Sequence, residues 1–177
     1  MKNGYLRDFS KGMDFESESI VITTDEIIEF GLKYDPQPFH TDAEEAKIGP
    51  FGGLIASGIQ TMAIGVKLLV QSRVFAVDAS MGSPGMDELR WHKPVRPGDA
   101  LRLRARVIEA VQSRSKPDRG LLRYRATIIN QNNEEVMSVI AKGSTKKPAK
   151  YSQNQENQER QRLRTGFEQL IPDCKSR

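Results

Sequence analysis

The hydrophobic residues of this chain repeat with one period in its middle and with another in its second half, and this change limits the possible folds. Between residues 58 and 72, apolar side chains recur at spacings of three and four. They are Ile59, Met62, Ala63, Val66, Leu69 and Val70. This spacing predicts a buried helix of about four turns that begins at Ser57-Gly58. After residue 88 the period is two, which is typical of strands.

The second half of the chain is predicted to form an antiparallel meander. The clearest strand alternates Leu101, Leu103, Ala105 and Val107 with Arg102, Arg104 and Arg106. Residues 121–129 and 136–143 are two further strands, joined by turn residues 130–133. A shorter alternation at 89–93 precedes a type II turn at 96–99, where Pro and Gly occupy their preferred positions. The sequence therefore predicts an α+β fold in which an antiparallel sheet wraps a long central helix.

The first half of the chain is predicted to contain one short strand and two short helices. The strand covers residues 19–23, which are rich in β-branched side chains. Thr24 is predicted to be the N-cap of a first helix that stops before the double-proline segment at 34–40. Thr41 or Asp42 is predicted to cap a second helix over the five residues that follow.

Length and charge predict a single domain with a basic tail. The 177 residues suit one domain at residues 1–145, followed by a polar tail at 146–177 that could form a short helix over 163–171. The net charge of +4 belongs to the tail, because residues 1–143 contain nineteen residues of each sign. Nucleic acid is therefore not expected as a partner of the folded domain.

Cysteine content and hydropathy predict a cytoplasmic location. Cys174 is the single cysteine, so no internal disulfide can form. The longest apolar run, from Met62 to Val70, is interrupted by Lys67 and is too short to span a bilayer. The first fifteen residues contain no continuous apolar stretch, so no secretion signal is expected.

Asp35 and His40 are the strongest candidates for acid–base chemistry. The chain has two histidines, and His40 follows Asp35 through a segment with prolines at 36 and 38. Because the residue before a proline avoids the α region, this segment is predicted to be a stiff loop. A stiff loop reduces the entropy lost when two side chains are held in one geometry. The spacing alone also allows Asp35 to cap a turn and His40 to be an ordinary loop residue.

Two motifs give this chain a resemblance to a known family. Asp35-Pro-Gln-Pro-Phe-His40-Thr-Asp, followed by Phe51-Gly-Gly-Leu-Ile-Ala-Ser-Gly58, resembles the MaoC-like dehydratase family, which includes (R)-specific enoyl-CoA hydratases and whose signature reads D-x-N-P-x-H. Trp91-His-Lys-Pro-Val-Arg-Pro-Gly-Asp99 is similar to the family's strand and tight turn, so the resemblance spans residues 5–145. The chain departs from the pattern at Gln37, where the signature has Asn, and at Tyr34, where the hydratases usually have a small residue. Both changes bear on substrate choice more than on chemistry.

The resemblance implies a hot-dog fold, usually dimeric, and a hydro-lyase that adds water reversibly to a trans-2-enoyl-CoA thioester to give a 3-hydroxyacyl-CoA. Coenzyme A enters as part of the substrate, and no metal or separate cofactor is implied. Asp35 and His40 would hold and activate the water, with the final proton donor left open. Gly53, Ser57 and Gly58 would contact the substrate, with the Gly58 N–H facing the thioester oxygen at a helix N-terminus. Helix-start packing of the glycines and an N-cap role for Ser57 are the alternatives.

Three further points concern rival interpretations. His92 is predicted to be structural or on the surface, and the arginines at 102, 104 and 106 are predicted to form a solvated strand face, with contact to coenzyme A phosphates as the alternative.

A hot-dog thioesterase is the nearest rival function, but residues 58–72 contain no Asp or Glu of the kind that thioesterases commonly place on or beside the central helix. A non-catalytic acyl-CoA-binding protein is the other rival.

Overall fold

A computed structural model of the chain describes residues 4–75 and 79–146. In chain order the strands and helices are β1 Asp14–Glu16, β2 Ile20–Val21, α1 Thr24–Tyr34, α2 Pro38–Thr41, α3 Ala43–Ile48, α4 Gly58–Gln71, β3 Gly85–Trp91, β4 Ala100–Gln112, β5 Arg119–Ile129 and β6 Glu135–Lys146. The tail helix predicted at 163–171 lies outside the described residues, and the boundary at residue 145 remains a prediction.

The strands form one antiparallel sheet in the order β1-β4-β5-β6-β3, and the two-residue strand β2 also pairs with β4. Its three longest strands are the ones predicted at 101–107, 121–129 and 136–143, and each extends beyond the predicted bounds, β4 as far as Gln112. The turn between β3 and β4 has Gly98 at φ +86°, as position three of a type II turn requires. The predicted meander is confirmed.

The core lies between the sheet and helix α4. The apolar positions of β4 face inward and are at most 1% exposed, namely Leu101, Leu103, Ala105 and Val107. Leu68 of α4 is 1% exposed, and Gly65 brings the helix so close to β5 that a Cβ atom there would lie 3.0 Å from Ile128 Cδ1. The structure therefore confirms the predicted α+β fold, with a sheet wrapped around a central helix.

The apolar stripe predicted along α4 is only partly buried. Ile59 is 49% exposed, Val66 44% and Val70 70%, whereas Leu68, outside the predicted stripe, is buried. The reason is geometric, because the sheet covers one side of a helix that is apolar over a wider arc. The prediction of a fully buried stripe was wrong, and a row of apolar side chains remains uncovered by the described part of the chain.

The N-terminal predictions need small corrections. The N-cap of α1 is Thr23 and not Thr24, because the Thr23 hydroxyl accepts a hydrogen bond from the Glu26 N–H while the Glu26 carboxylate accepts one from the Thr23 N–H. The helix ends at Tyr34, the first residue of the segment before which it was predicted to stop. Asp42 caps α3, as one of the two alternatives predicted.

Strand β1 was not predicted. Its three residues, Asp14 to Glu16, are too few to show a period. Strand β2 covers only Ile20 and Val21 of the stretch predicted at 19–23.

Candidate active site

Asp35 stands where helix α1 ends. Its backbone N–H donates to the Gly31 carbonyl, which makes it the C-cap, and its φ of −152° and ψ of 70° lie outside the α region. Pro36 enforces this departure, as the sequence predicts. The predicted stiff loop covers only residues 35–37, and its extension to His40 was wrong, because Pro38 to Thr41 form a single helical turn, α2. Proline is compatible with a first helical turn because its missing N–H has no partner there.

His40 is buried in turn α2, with 4% of its surface exposed. Its Nδ1 lies 2.7 Å from the backbone carbonyl oxygen of Ile55. A carbonyl oxygen only accepts hydrogen bonds, so Nδ1 carries the hydrogen. In the neutral ring, Nε2 is then an unprotonated nitrogen with a free lone pair. This Nε2 lies 3.3 Å from Asp35 Oδ2, so the predicted acid–base pair is assembled.

Both oxygens of the Asp35 carboxylate accept a side-chain hydrogen bond. The Ser57 hydroxyl donates to Oδ2 at 2.7 Å, and the Gln37 amide donates to Oδ1 at 2.8 Å. These two donors, Ser57 first, hold the pKa of Asp35 below its usual range, against the opposing effect of partial burial and with a smaller contribution from the charge of His40. The carboxylate is therefore ionised at neutral pH, although only 26% of the Asp35 side chain is exposed.

Ser57 and Gly58 form the N-terminus of α4 beside this pair. Ser57 is 1% exposed and is the N-cap, since its hydroxyl accepts from the Ile59 N–H at 3.2 Å. The Gly58 carbonyl accepts a hydrogen bond from the Trp91 indole N–H at 2.9 Å, and a Cβ atom on Gly58 would lie 2.5 Å from Trp91 Cε2. The packing role for Gly58 and the capping role for Ser57, both left open by the sequence, are therefore present.

One cleft of about 460 Å³ unites most of the predicted site. Asp35, His40, Ser57 and Gly58 line it together. Gly53 does not line the cleft, and the position of its absent Cβ lies 3.3 Å from the Arg96 guanidinium. Aromatic and polar residues complete the walls, among them Phe39, Phe51, Thr61, Trp91 and Lys93.

Gln37, Trp91 and His92 are among the cleft residues that the sequence did not assign to the site. Gln37 was noted as a departure from a family pattern and not as a partner of Asp35. Trp91 was used only as part of a strand. His92, predicted to be structural or on the surface, is exposed and lines the cleft, with its Nε2 2.8 Å from the buried Ser138 hydroxyl. The proximity of both histidines to one cleft could not be read from positions 52 apart in the sequence.

The arginine face of β4 lies on the opposite side of that strand from its buried leucines. Arg102 and Arg104 pair with Glu16, and Arg106 pairs with Asp14 through two hydrogen bonds of 2.7 Å. Strand β1 thus supplies carboxylates to the row of guanidinium groups. This agrees with the interpretation of these arginines as a strand face rather than as ligands of the cleft.

Two searches of the described residues gave negative results. Within 4–75 and 79–146, no three His, Cys, Asp or Glu side chains are grouped so that they could hold a metal ion. Over the same ranges, no helix has both the length and the apolar character needed to cross a bilayer.

Comparison with known proteins agrees with the fold. The chain is 34% identical to the uncharacterized protein YdeM of Bacillus subtilis (strain 168) over 141 residues, which cover 77% of this chain and 98% of that protein. The crystal structure of a MaoC-like dehydratase from Rhodospirillum rubrum is 36% identical, with a TM-score of 0.74 over 82% of this chain and 99% of that one. The unliganded R-hydratase PhaJ1 from Pseudomonas aeruginosa is 23% identical, with a TM-score of 0.63 over 80% and 84% of the two chains, and shares the fold.

The sheet wrapped around α4 is thus a hot-dog fold, shared with these solved structures. The profile of the MaoC-like domain family matches residues 8–127, which include every residue of the cleft. The chain belongs to the MaoC-like dehydratase family.

Proposed function

We propose that this protein is an acyl-CoA hydratase/dehydratase, a hydro-lyase that adds water reversibly to a trans-2-enoyl-CoA to give a 3-hydroxyacyl-CoA. Membership of a dehydratase family supports hydration or dehydration chemistry in general. The single observation that carries the proposal is the Asp35–His40 pair, with Nε2 and Oδ2 3.3 Å apart at the wall of a cleft. An ionised carboxylate and an unprotonated ring nitrogen can hold one water molecule between them, because each accepts a hydrogen bond from it.

In the proposed reaction, His40 Nε2 removes a proton from that water as the water oxygen forms a bond to C3 of the enoyl thioester. The C2–C3 π electrons move toward the thioester oxygen, giving an enolate. The Nε2–H of the imidazolium then returns the proton to C2, so one water molecule is added and His40 is regenerated. Asp35 accepts a hydrogen bond from the hydrogen that stays on the water oxygen, and it stabilises the imidazolium. Dehydration follows the same steps in reverse.

The negative charge on the thioester oxygen requires hydrogen-bond donors that are already in place. We assign this role to the N-terminus of α4, where the Gly58 N–H stands at the positive end of the helix dipole and lines the same cleft as Asp35. The close packing of Trp91 on Gly58 supports this assignment, because it fixes the first turn of the helix. Ser57 is the cap of this helix, and Gly53 lies outside the cleft, so neither is assigned to the thioester oxygen.

Hydrolysis of the thioester is the rival reaction. Helix α4 carries no Asp or Glu from Gly58 to Gln71, so it offers no carboxylate to direct a hydrolytic water. Asp35 is the carboxylate that lines the cleft, and it is engaged with His40. A non-catalytic acyl-CoA binder would not need this pairing.

The test is hydration of crotonyl-CoA, followed by the loss of absorbance of its conjugated double bond. His40→Ala and Asp35→Asn should each lower kcat about a hundredfold or more, since general acid–base catalysis contributes about 10²–10⁴. Asp25→Asn is the matched control, because Asp25 is an exposed carboxylate of α1 outside the cleft. A thiol-release assay on the same samples detects hydrolysis. Free coenzyme A without hydration, or full activity in both variants of the pair, would refute the proposal.

We further propose that the enzyme is a cytoplasmic homodimer. Strand β3 forms an open edge of the sheet, and the apolar side chains of Ile59, Val66 and Val70 on α4 lack a cover from the described part of the chain. Met86 on β3 is 40% exposed and lines the same small cavity as Val66. A second copy could cover these positions. Sedimentation equilibrium should give twice the chain mass, and a monomer would contradict this.

A further inference from the structure

We propose that Ser57 and Gln37 are positioning residues that clamp the Asp35 carboxylate from two sides and hold it as an anion, so that His40 Nε2 is the single proton-carrying atom of the pair. This inference rests on the proposed function for its kinetic consequences. Its structural part, the state of the carboxylate, is independent of any substrate.

Ser57 holds one oxygen from the buried side. Its hydroxyl accepts a hydrogen bond from the Ile59 N–H at 3.2 Å, so its own hydrogen is free to point at Asp35 Oδ2, 2.7 Å away. With 1% of its surface exposed, Ser57 cannot exchange this bond for one to bulk water. The same hydroxyl therefore caps the central helix and fixes a carboxylate 22 positions earlier in the chain.

Gln37 holds the other oxygen from the solvent side. Its amide donates to Asp35 Oδ1 at 2.8 Å. The backbone of Gln37 is also fixed, because it lies between two prolines, its N–H donates to the Asp35 carbonyl at 2.7 Å and its carbonyl accepts from the Thr41 hydroxyl. Gln37, which stands where the family signature has Asn, is thus the residue that donates to Asp35 Oδ1.

The two donors have a chemical consequence. A hydrogen-bond donor on each oxygen favours the charged form of the group, which is the cause of the lowered pKa of Asp35. A carboxylate in this state is a poor proton donor at neutral pH. His40 Nε2 is the neighbouring atom that can take up and release a proton, since Nδ1 keeps its hydrogen on Ile55. The clamp would therefore divide the roles, with Asp35 as orienting anion and His40 as proton carrier.

The first test needs no substrate. With carboxyl carbons labelled by ¹³C, the titration of Asp35 is followed by NMR in the wild type and assigned with Asp35→Asn. Ser57→Ala and Gln37→Met should each move the titration of Asp35 to higher pH, and the double variant further. Gln37 is exposed, so its substitution should leave the fold intact even if Ser57→Ala does not fold. An Asp35 titration that is the same in wild type and Gln37→Met would overturn the clamp.

The second test separates positioning from binding. On crotonyl-CoA, Ser57→Ala should lower kcat about tenfold or more with KM changed little, because the variant loses a hydrogen bond to a charged group that positions Asp35. The acidic limb of the kcat/KM profile should move to higher pH, since Asp35 must be ionised for turnover. Ser57→Thr, which keeps a hydroxyl, should restore most of the rate. A rise in KM alone would mean that Ser57 binds substrate and does not position Asp35.

Two matched controls test whether the loss of any helix cap, or any exposed Gln→Met exchange, would produce the same effects. Thr23→Ala deletes an N-cap of the same kind at the far end of α1, and Gln71→Met makes the same exchange as Gln37→Met at an exposed position outside the cleft. Both should keep the wild-type kcat and pH profile. If the wild type shows no hydration at all while the NMR shifts occur as expected, the proposed function fails and the clamp stands.

Discussion

Replacing Gly31 by alanine should displace Asp35 and His40 relative to each other, because the new Cβ atom would lie too close to the turn that carries His40. Gly31 lies on α1 one turn before Asp35, and helix α1 packs on turn α2 there. A Cβ atom at Gly31 would lie 2.7 Å from the His40 carbonyl oxygen, 3.0 Å from His40 Cβ and 3.0 Å from Thr41 Cγ2. Ordinary contact begins near 3.4 Å, so either α1 or the His40 turn must move by about 0.7 Å.

Two opposing effects set the stability of Gly31→Ala. Alanine is better than glycine inside a helix by about 1 kcal/mol. Overpacking against a backbone atom that cannot rotate away costs about 1–3 kcal/mol. The net result is a loss of up to about 2 kcal/mol, or a fall in Tm of up to about 8 °C at 2–4 °C per kcal/mol.

The effect on catalysis should be larger than the effect on stability. The Gly31 carbonyl accepts the Asp35 N–H at 2.9 Å, so a shift of either segment changes the 3.3 Å separation of Asp35 Oδ2 and His40 Nε2. A misplacement of about 1 Å can cost about a hundredfold in rate, so we expect hydration of crotonyl-CoA to fall at least tenfold. The assay pairs the crotonyl-CoA rate with thermal unfolding followed by circular dichroism.

Gly65→Ala is the matched control. This variant makes the same Gly→Ala exchange inside a helix, α4. The nearest atom to its new Cβ is the flexible end of the Ile128 side chain, at 3.0 Å. It should keep its rate. If Gly31→Ala were more stable than wild type and fully active, the contact between α1 and the His40 turn would not position the pair, and this reasoning would be refuted.

Three other perturbations have defined outcomes. Asp14→Asn breaks a two-bond pair with Arg106, but both side chains are more than half exposed, so the free energy of unfolding in urea should change little, and a large fall would mean that β1 depends on this pair. The pKa of Asp35 is lowered in the folded state, so its contribution to stability is present above the ordinary carboxyl pKa of about 3.9 and is lost as the pH falls through its folded value. The difference in unfolding free energy between wild type and Asp35→Asn should therefore stay constant near neutral pH and narrow as the pH falls below about 3.9, and a difference that stays constant in acid would contradict the role of the Asp35 charge. Trp91→Phe removes the indole N–H that bonds to the Gly58 carbonyl, so it should cost about 1 kcal/mol and loosen the start of α4, measured as a lower Tm and a lower kcat; unchanged values would show that this bond is dispensable.

The long periodic elements could be predicted from sequence because each repeats one simple rule many times. Strand β4 shows its alternation over seven residues, and the central helix shows its spacing over fourteen. The positions of Asp35 and His40 were also within reach, since two prolines restrict the backbone between them. Capping by Asp42 and Ser57 followed from residue type alone.

The contacts that make the pair a site could not be predicted in the same way. Which side of an apolar helix a sheet covers is decided by tertiary packing, so the exposure of Ile59 and Val70 has no signal in the spacing. The bond from Ser57 to Asp35 joins positions 22 apart. Gln37 is an ordinary polar residue until the chain turns at Pro38, and only the folded turn aims its amide at the carboxylate.

The anchor of His40 is a main-chain atom, and this has a consequence for how the protein can change. Every amino acid at position 55 provides the same carbonyl oxygen, and the N–H of that residue returns a bond to the Phe39 carbonyl at 3.0 Å. Side-chain replacement there would leave the hydrogen on Nδ1, whereas a proline at position 55 would remove the returning N–H. The path of the backbone thus sets the His40 tautomer, whichever side chain stands at position 55.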